Sequence, residues 1–264
     1  MNLDLYFKRI HWSGGTKPDL VTLSGLQAAH MTHIPFENLD VLLGRRIFLE
    51  LEPLHDKLVT RKRGGYCFEH SSLFGAVLEE LGYKIKRHTA RVTAHSAPTE
   101  APRTHMILSV DLPEGKFLVD PGFGGVGPRV PMPLKENSER AILDEKHWLT
   151  RAERIWTLNY KTPEKDVKGW ITPLDEDNLV DFELGNHFTN SHPNSIFRKF
   201  LMVAIRTPEG RVNLANKEAT IYKNGNAQKV PIETPKILRA FIREYMNIDL
   251  PEVEHLKVPG IPEW

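Results

Sequence analysis

The sequence has 264 residues but only one cysteine, Cys67. A single thiol cannot form an intramolecular disulfide, and it excludes every zinc site that requires two or more thiolate ligands. A P-loop, a GxSxG serine motif and an HExxH zinc helix are also missing. We therefore expect no metal site and no tightly bound cofactor, and we predict that Cys67 is a free thiol.

Long apolar runs and an excess of one charge are missing as well. No segment approaches the roughly 18 consecutive apolar residues that a membrane span needs, and the first residues lack the three-part order of a secretory signal. We expect a cytoplasmic protein with no membrane partner. The 35 basic and 34 acidic residues leave a formal net charge of +1, which argues against a nucleic acid partner and favours small-molecule substrates. The sequence leaves the oligomeric state open.

The apolar patterns divide the chain into three candidate domains. Residues 1–83 are predicted to be helical. Residues 84–190 contain short runs rich in β-branched and aromatic side chains, separated by Pro, Gly and Asp, and these runs predict a small barrel or sheet that reaches about Phe188. Residues 191–264 are predicted to form a smaller α/β unit.

Several elements have recognisable ends. The first predicted helix takes Thr22 as its N-cap. A second follows Cys67, because apolar residues recur at three-to-four spacing up to Gly82, where a left-handed cap is expected. In the last part, Asn224-Gly225 predicts a hairpin turn and Thr234-Pro235 predicts the start of a helix.

The segment around Cys67, RKRGGYCFEH, is suited to present a nucleophile. Gly64 and Gly65 permit unusual backbone angles just before the helix that Cys67 begins. The unpaired N–H groups and partial positive charge of a helix N-terminus stabilise a thiolate, and the same N–H groups can bind an oxyanion. The alternative is that Cys67 is an inert buried side chain, as most free cysteines are.

A base for Cys67 is indicated by the hairpin between the strands HMILSV and KFLVD. If its loop spans residues 112–115, Ile107 lies opposite Asp120. His105 is two residues from Ile107 and shares its face, so Asp120 is its diagonal neighbour. We predict that Asp120 orients His105 and that His105 takes the proton of Cys67. The alternatives are an ordinary strand-end histidine and a turn-forming aspartate.

Gly122, Gly124 and Gly127 match GxGxxG directly after the second strand of this hairpin. A dinucleotide site would need a helix to follow, but three prolines within the next few residues forbid one. We expect these glycines instead to let a ligand approach the backbone beside Asp120.

Four segments together resemble the arylamine N-acetyltransferase family: IPFENL, RGGYCFE around Cys67, THMIL around His105 and VDPGFGG around Asp120. Their order and spacing fit, and the resemblance covers nearly the whole chain, including SHPNSIF at residues 191–197. It implies an α+β fold with an N-terminal helical bundle, a central antiparallel β-barrel and a C-terminal α/β lid. The first two parts would resemble the core of cysteine proteases and transglutaminases.

The resemblance also implies an activity, the ping-pong transfer of acetyl from the co-substrate acetyl-CoA to an arylamine or arylhydrazine. Cys67, His105 and Asp120 would be the catalytic residues, with Cys67 carrying the acetyl group. Two other enzyme classes stay open: an amide synthase or acyltransferase that uses a different acyl-CoA, and a cysteine hydrolase or transglutaminase-like cross-linker. A binding protein that retained the fold is the non-enzymatic alternative.

Substrate contacts follow from the same resemblance. The acceptor pocket would be lined by three phenylalanines, of which Phe36 and Phe197 fit equally well as core aromatics. The pantetheine end of CoA would pass near three residues of the central part. The acceptor residues are Phe36, Phe123 and Phe197, and the CoA residues are Val92, Thr104 and Gly124.

The resemblance further implies a structural ion pair between Glu37 and Arg63. The sequence departs from the family at Ser71, where Asn is frequent. A side chain one helical turn after Cys67 lies near the catalytic turn, so this change affects local hydrogen bonding.

Overall fold

The first part of the chain is helical in the computed structural model, which describes residues 1–264. A two-residue strand and one π-helical turn, over Asp56–Thr60, interrupt the helices. The prediction of a helical first part is confirmed. The elements are α1 (Leu3–Arg9), α2 (Leu20–His33), β1 (Phe36–Glu37), α3 (Leu39–Leu42), α4 (Leu51–His55) and α5 (Cys67–Glu80).

Helix α2 begins earlier than predicted. Asp19 is its N-cap, and the Asp19 carboxylate accepts the backbone N–H of Thr22 at 2.9 Å. Thr22 therefore lies within the first turn, and its assignment as the N-cap is wrong. The carboxylate of Asp19 satisfies the free N–H group that a cap must satisfy, so the helix extends back to Leu20.

The middle of the chain forms an eight-stranded antiparallel, barrel-like sheet. Its strands are β2 (Lys84–Val92), β3 (Arg103–Leu112), β4 (Gly115–Val119), β5 (Met132–Pro133), β6 (Glu139–Ile142), β7 (Glu145–Ala152), β8 (Ile155–Lys161) and β9 (Asp166–Thr172). The order in the sheet is β5-β4-β3-β2-β9-β8-β7-β6. Only β2 and β9 are neighbours in space without being neighbours in sequence, and there Val92 lies opposite Trp170.

The prediction that strands continue to about Phe188 is wrong for its last stretch. That stretch is a helix, α6 (Leu179–Ser191). Asp181 accepts the backbone N–H of Asn178 at 2.8 Å, a capping contact that favours a helix. The Asn-x-x-Asp spacing is the sequence signal that indicates this helix. The division into domains at residues 83 and 190 stays a prediction.

Helix α5 lies at the centre of the first core. Its Leu73, Phe74, Val77 and Leu78 side chains have no exposed surface, and they cluster with apolar residues of α1, α2, β3 and α6. Gly82 follows α5 with a φ of +86°, the left-handed conformation predicted for it. The helix that begins at Cys67 is therefore fixed along its length by packing on several sides.

The last part of the chain forms a second sheet covered by one helix. Its strands are β10 (Met202–Thr207), β11 (Gly210–Ala215), β12 (Glu218–Lys223) and β13 (Asn226–Pro231), and the helix is α7 (Pro235–Met246). The predicted turn at Asn224-Gly225 and the predicted start of α7, with Thr234 as N-cap, are confirmed. Strand β1 joins this sheet through a pairing of Phe36 with Ala204, so the last part is tied to the first.

None of the helices is both long and apolar enough to cross a lipid bilayer.

Candidate active site

Cys67 is the first residue of α5 and is 3% exposed. The Glu69 side chain accepts the backbone N–H of Tyr66 at 3.1 Å, which holds the turn that leads into the helix. The Cys67 thiol lies 3.4 Å from the carbonyl oxygen of Thr104, at the start of β3. The predicted position of the sulfur at a helix N-terminus is confirmed.

The loop after β4 packs directly against Cys67. A Cβ atom on Gly122 would lie 2.7 Å from the Cα atom of Cys67, so only glycine fits there. The close backbone approach predicted beside Asp120 exists, but at Gly122 it is made by the protein chain. At Gly122 the first turn of α5 fills the space that a side chain would need, and a ligand beside these glycines stays a prediction.

His105 and Asp120 are hydrogen-bonded to each other. The hairpin of β3 and β4 pairs Asp111 with Lys116 and Leu108 with Val119, which confirms the predicted register. The Nε2 atom of His105 lies 3.1 Å and 3.0 Å from the two carboxylate oxygens of Asp120. The imidazole is 2% exposed and the carboxylate is fully buried.

Trp170 belongs to the same hydrogen-bond network. No pattern in the sequence indicates this role. It lies on β9, and its indole N–H donates to Asp120 Oδ2 at 2.9 Å. Its position depends on the pairing of β9 with β2, which joins strands far apart in the sequence. With Trp170 and His105 as donors, the Asp120 carboxylate is held in one orientation.

The charge of Asp120 controls the protonation of His105. Burial lowers the pKa of His105, but the Asp120 carboxylate and a hydrogen bond with the Cys67 side chain have the opposite, larger effect. Together they raise this pKa to about 10. Because Nε2 faces Asp120, Nδ1 is the ring nitrogen left for the sulfur. An imidazolium next to a thiol favours the nucleophilic thiolate form.

A buried cluster of charged residues lies behind the turn that carries Cys67. Lys57 bridges Glu69 at 2.7 Å and Asp40 at 2.8 Å. Arg63 pairs with Glu37 at 2.6 Å, so the ion pair that the resemblance implied is present. Burial raises the pKa of Glu69 to about 6 despite the nearby Lys57. Lys57, Asp40 and Glu69 are the members of this cluster that the sequence did not indicate.

The three phenylalanines predicted to line an acceptor pocket lie close to these groups. The ring centres of Phe36 and Phe197 are 6.1 Å apart. Phe123 packs on His105 with ring centres 5.0 Å apart. All three are partly buried, and Phe36 and Phe197 also pack on the first core, so their role in binding stays a prediction.

The residues predicted for CoA lie at the edges of the site. Val92 ends β2 and pairs with Trp170, and the carbonyl oxygen of Thr104 faces the Cys67 thiol. Gly124 has a φ of +60° and opens a single 3-10 turn beside Phe36. Their contact with CoA stays a prediction.

Ser71, the departure from the family pattern, makes a hydrogen bond of its own. Its hydroxyl is buried and donates to the carbonyl oxygen of Met106 at 2.7 Å. This bond ties α5 to β3 next to His105. At this position a hydroxyl, rather than an amide, donates the hydrogen bond to β3.

Comparisons with known proteins identify the family. The family model described as N-acetyltransferase matches residues 19–255. The arylamine N-acetyltransferase of Mycolicibacterium smegmatis is 38% identical over 262 residues, which cover 95% of this chain and 93% of that protein. The arylamine N-acetyltransferase of Escherichia coli strain K12 is 34% identical over 255 residues, covering 96% and 91%. The chain belongs to the arylamine N-acetyltransferase family.

Solved arylamine N-acetyltransferases have the same fold as this chain. The structure of the Mycobacterium marinum protein in complex with CoA matches with a TM-score of 0.90 at 33% identity, covering 96% of this chain and 94% of that chain. The structure from M. tuberculosis matches with a TM-score of 0.90 at 33% identity, covering 99% and 98%. The predicted α+β fold with helical, barrel-like and C-terminal α/β parts is confirmed.

In this arylamine N-acetyltransferase family member, Trp170→Phe should lower the free energy of unfolding by about 1–3 kcal/mol, because a buried carboxylate loses a donor. The control is Trp156→Phe on the neighbouring strand β8, which keeps Asp120 paired and should cost no more than about 1 kcal/mol. Urea unfolding of both variants measures the difference. Equal losses in the two variants contradict the role given to the indole N–H.

The raised pKa of His105 should also make stability depend on pH. A folded-state pKa above the unfolded value contributes stability that is complete below about pH 6.5 and is lost as the pH rises toward about 10. The measurement compares Cys67→Ala with Cys67→Ala/His105→Gln, so that the thiol does not titrate. Because the Cys67 side chain also raises the pKa of His105, the folded-state pKa in the Cys67→Ala background lies below its value in the wild-type protein. From about pH 6.5 up to that lower pKa, the unfolding free energy of the single variant should fall, relative to the double variant, by up to about 1.4 kcal/mol per pH unit. Parallel pH curves contradict the assignment.

Proposed function

We propose that the protein transfers an acetyl group from acetyl-CoA to the nitrogen of an arylamine or arylhydrazine through an acetyl-Cys67 intermediate. The observation that carries this proposal is the buried contact of His105 with Asp120 beside a cysteine at a helix N-terminus. Membership of the arylamine N-acetyltransferase family supports the choice of reaction, and the CoA complex of the M. marinum relative supports acetyl-CoA as the donor.

The first half of the proposed reaction acetylates the enzyme. The thiolate of Cys67 attacks the thioester carbonyl, and free N–H groups in the first turn of α5 stabilise the oxyanion of the tetrahedral intermediate. The C–S bond to CoA then breaks, and His105 donates its proton to the leaving CoA thiolate. Asp120 holds the ring so that Nε2 faces the carboxylate and Nδ1 faces the reacting sulfur.

The second half transfers the acetyl group to the acceptor. An arylamine nitrogen is weakly basic, so it is uncharged and nucleophilic at neutral pH. It attacks the acetyl carbonyl on Cys67 while the neutral imidazole of His105 takes its proton. The Cys67 thiolate leaves, and the enzyme returns to the imidazolium form. Phe36, Phe123 and Phe197 supply the apolar walls for the ring in this proposal.

Burial of the reacting groups favours a small acceptor over a polypeptide. Cys67 is 3% exposed and His105 is 2% exposed. A protease or a protein cross-linker must admit an extended chain to its nucleophile, whereas a small amine can reach a recessed sulfur. The alternative acyltransferase would use a different acyl-CoA. The chemistry of the cysteine is the same for either acyl group, so it does not distinguish the two functions.

The proposal predicts that acetyl-CoA alone acetylates Cys67 and that an added arylamine removes the label. Intact-protein mass spectrometry follows one acetyl group appearing and disappearing, with several acyl-CoA donors run in parallel. Labelling by a longer acyl-CoA in preference to acetyl-CoA would reassign the donor.

Two variants serve as controls for this experiment. Cys67→Ala should take up no acetyl group, and acetylation of this variant would contradict the mechanism. Asp120→Asn should slow acetylation by about 10³- to 10⁴-fold, because His105 loses the charge that orients it. Near-normal rates in Asp120→Asn reject the role given to the carboxylate.

A further inference from the structure

A chain of hydrogen bonds runs through the core beneath the site and takes no part in the proposed chemistry. The hydroxyl of Tyr6 lies 2.8 Å from His30 Nδ1, and His30 Nε2 lies 2.8 Å from His70 Nδ1. His70 Nε2 then lies 3.1 Å from the carbonyl oxygen of Pro35. The three side chains are at most 1% exposed. We call these three side chains and the Pro35 carbonyl the buried histidine chain.

The direction of every hydrogen bond in this chain is fixed by its last acceptor. The Pro35 carbonyl can only accept, so His70 Nε2 carries the proton and His70 Nδ1 accepts from His30 Nε2. His30 Nδ1 must in turn accept from the Tyr6 hydroxyl. Burial lowers the pKa of His70 to about 4 and that of His30 well below its usual value, so both rings are neutral at neutral pH. One arrangement of protons satisfies the whole chain.

The chain ends on the segment that carries Phe36. The Pro35 carbonyl also accepts the backbone N–H of Gly65 at 3.2 Å, and a Cβ on Gly64 would lie 2.2 Å from its oxygen. The Pro35 carbonyl is therefore held by His70 on one side and by the Gly64-Gly65 backbone on the other. Phe36 follows it directly, with its ring nearly parallel to that of His70 at 6.4 Å between centres.

His70 connects this segment to the helix of the nucleophile. It lies three residues after Cys67 on α5, close to one helical turn away. A hydrogen bond from His70 to Pro35 thus fixes the distance between the first turn of α5 and the Phe36 ring. The remaining links extend that constraint to α1 and α2, two helices outside the site.

We propose that the buried histidine chain positions Phe36 against Cys67, and that His70 is therefore a positioning residue for the arylamine acceptor. This inference rests on the proposed function, in which Phe36 forms a wall of the acceptor pocket. His70 acts through Pro35 and does not touch the substrate. Its loss affects acceptor binding and leaves attack of Cys67 on acetyl-CoA intact, because His105, Asp120 and the N–H groups of α5 stay in place.

The test variant is His70→Phe, which keeps an aromatic ring beside Phe36 and removes both hydrogen bonds. The matched control is His88→Phe in the barrel-like sheet. His88 is also buried, and its ring makes two hydrogen bonds, one with the Ser109 hydroxyl and one with the Asp175 carbonyl, each 2.8 Å long. Both variants lose comparable contacts, but only His70 is bonded to the segment that carries Phe36.

Two steps are measured separately in each protein, with acetyl-CoA as donor and aniline as acceptor. His70→Phe should raise the KM for aniline about tenfold, because of the two bonds it removes only the one to Pro35 acts on Phe36, while Cys67 acetylation stays within about twofold of wild type. His70→Gln can donate to Pro35 and accept from His30, so it should restore most of the loss. An unchanged KM in His70→Phe, or an equal rise in His88→Phe, overturns the proposal.

A second measurement does not depend on activity, and its first part uses only the wild-type protein. Nitrogen-15 NMR of the wild-type protein should show His30 and His70 as Nε2–H tautomers whose signals do not titrate between about pH 6 and 9. Tyr6→Phe should shift the signals of these two rings and leave those of His88 unchanged. An Nδ1–H tautomer at either position overturns the buried histidine chain. Wild-type protein that acetyl-CoA does not acetylate contradicts the proposed function instead, and the NMR result stands apart from it.

Discussion

The hydrogen bond between His105 and Asp120 is the interaction on which the rest of the site depends. Asp120 is fully buried, and a buried carboxylate is stable in its charged form only when its oxygens are paired. The two donors that pair it, the His105 imidazole and the Trp170 indole, come from strands on separate hairpins. The register of the barrel-like sheet therefore determines whether this charge can be buried at all.

The position of Cys67 follows from constraints on both sides of α5. Gly122 lies so close to the Cys67 backbone that the loop after β4 and the helix cannot move independently. On the other side, Glu69 holds the turn before the helix and is itself paired with Lys57. The first turn of α5 is thus held between the hairpin that supplies the imidazole and a buried cluster of charged groups, and these contacts fix the position of the sulfur.

Local patterns predicted most of the elements that carry these groups. The period of apolar residues identified α5, and the short loop between β3 and β4 set a register in which His105 and Asp120 meet. The predicted extension of strands to about Phe188 is wrong for Leu179–Ser191, where the capping contact between Asn178 and Asp181 starts a helix that packs against β3. Local patterns also gave no reason to choose Trp170 over other tryptophans, since its partner strand lies about 80 residues earlier in the chain.

The sequence by itself determined that Cys67 begins a helix and that His105 and Asp120 meet across a hairpin, and four motifs together indicated the family. The first two features depend on contacts between residues within about 15 positions of one another, where turn chemistry and periodicity are sufficient. Only the tertiary structure decided that Trp170 holds Asp120, that Lys57 neutralises Glu69, and that Tyr6, His30 and His70 form one chain ending at Pro35. Buried polar groups must find partners wherever the packed chain brings a donor to an acceptor, and no local pattern records which distant segments will meet.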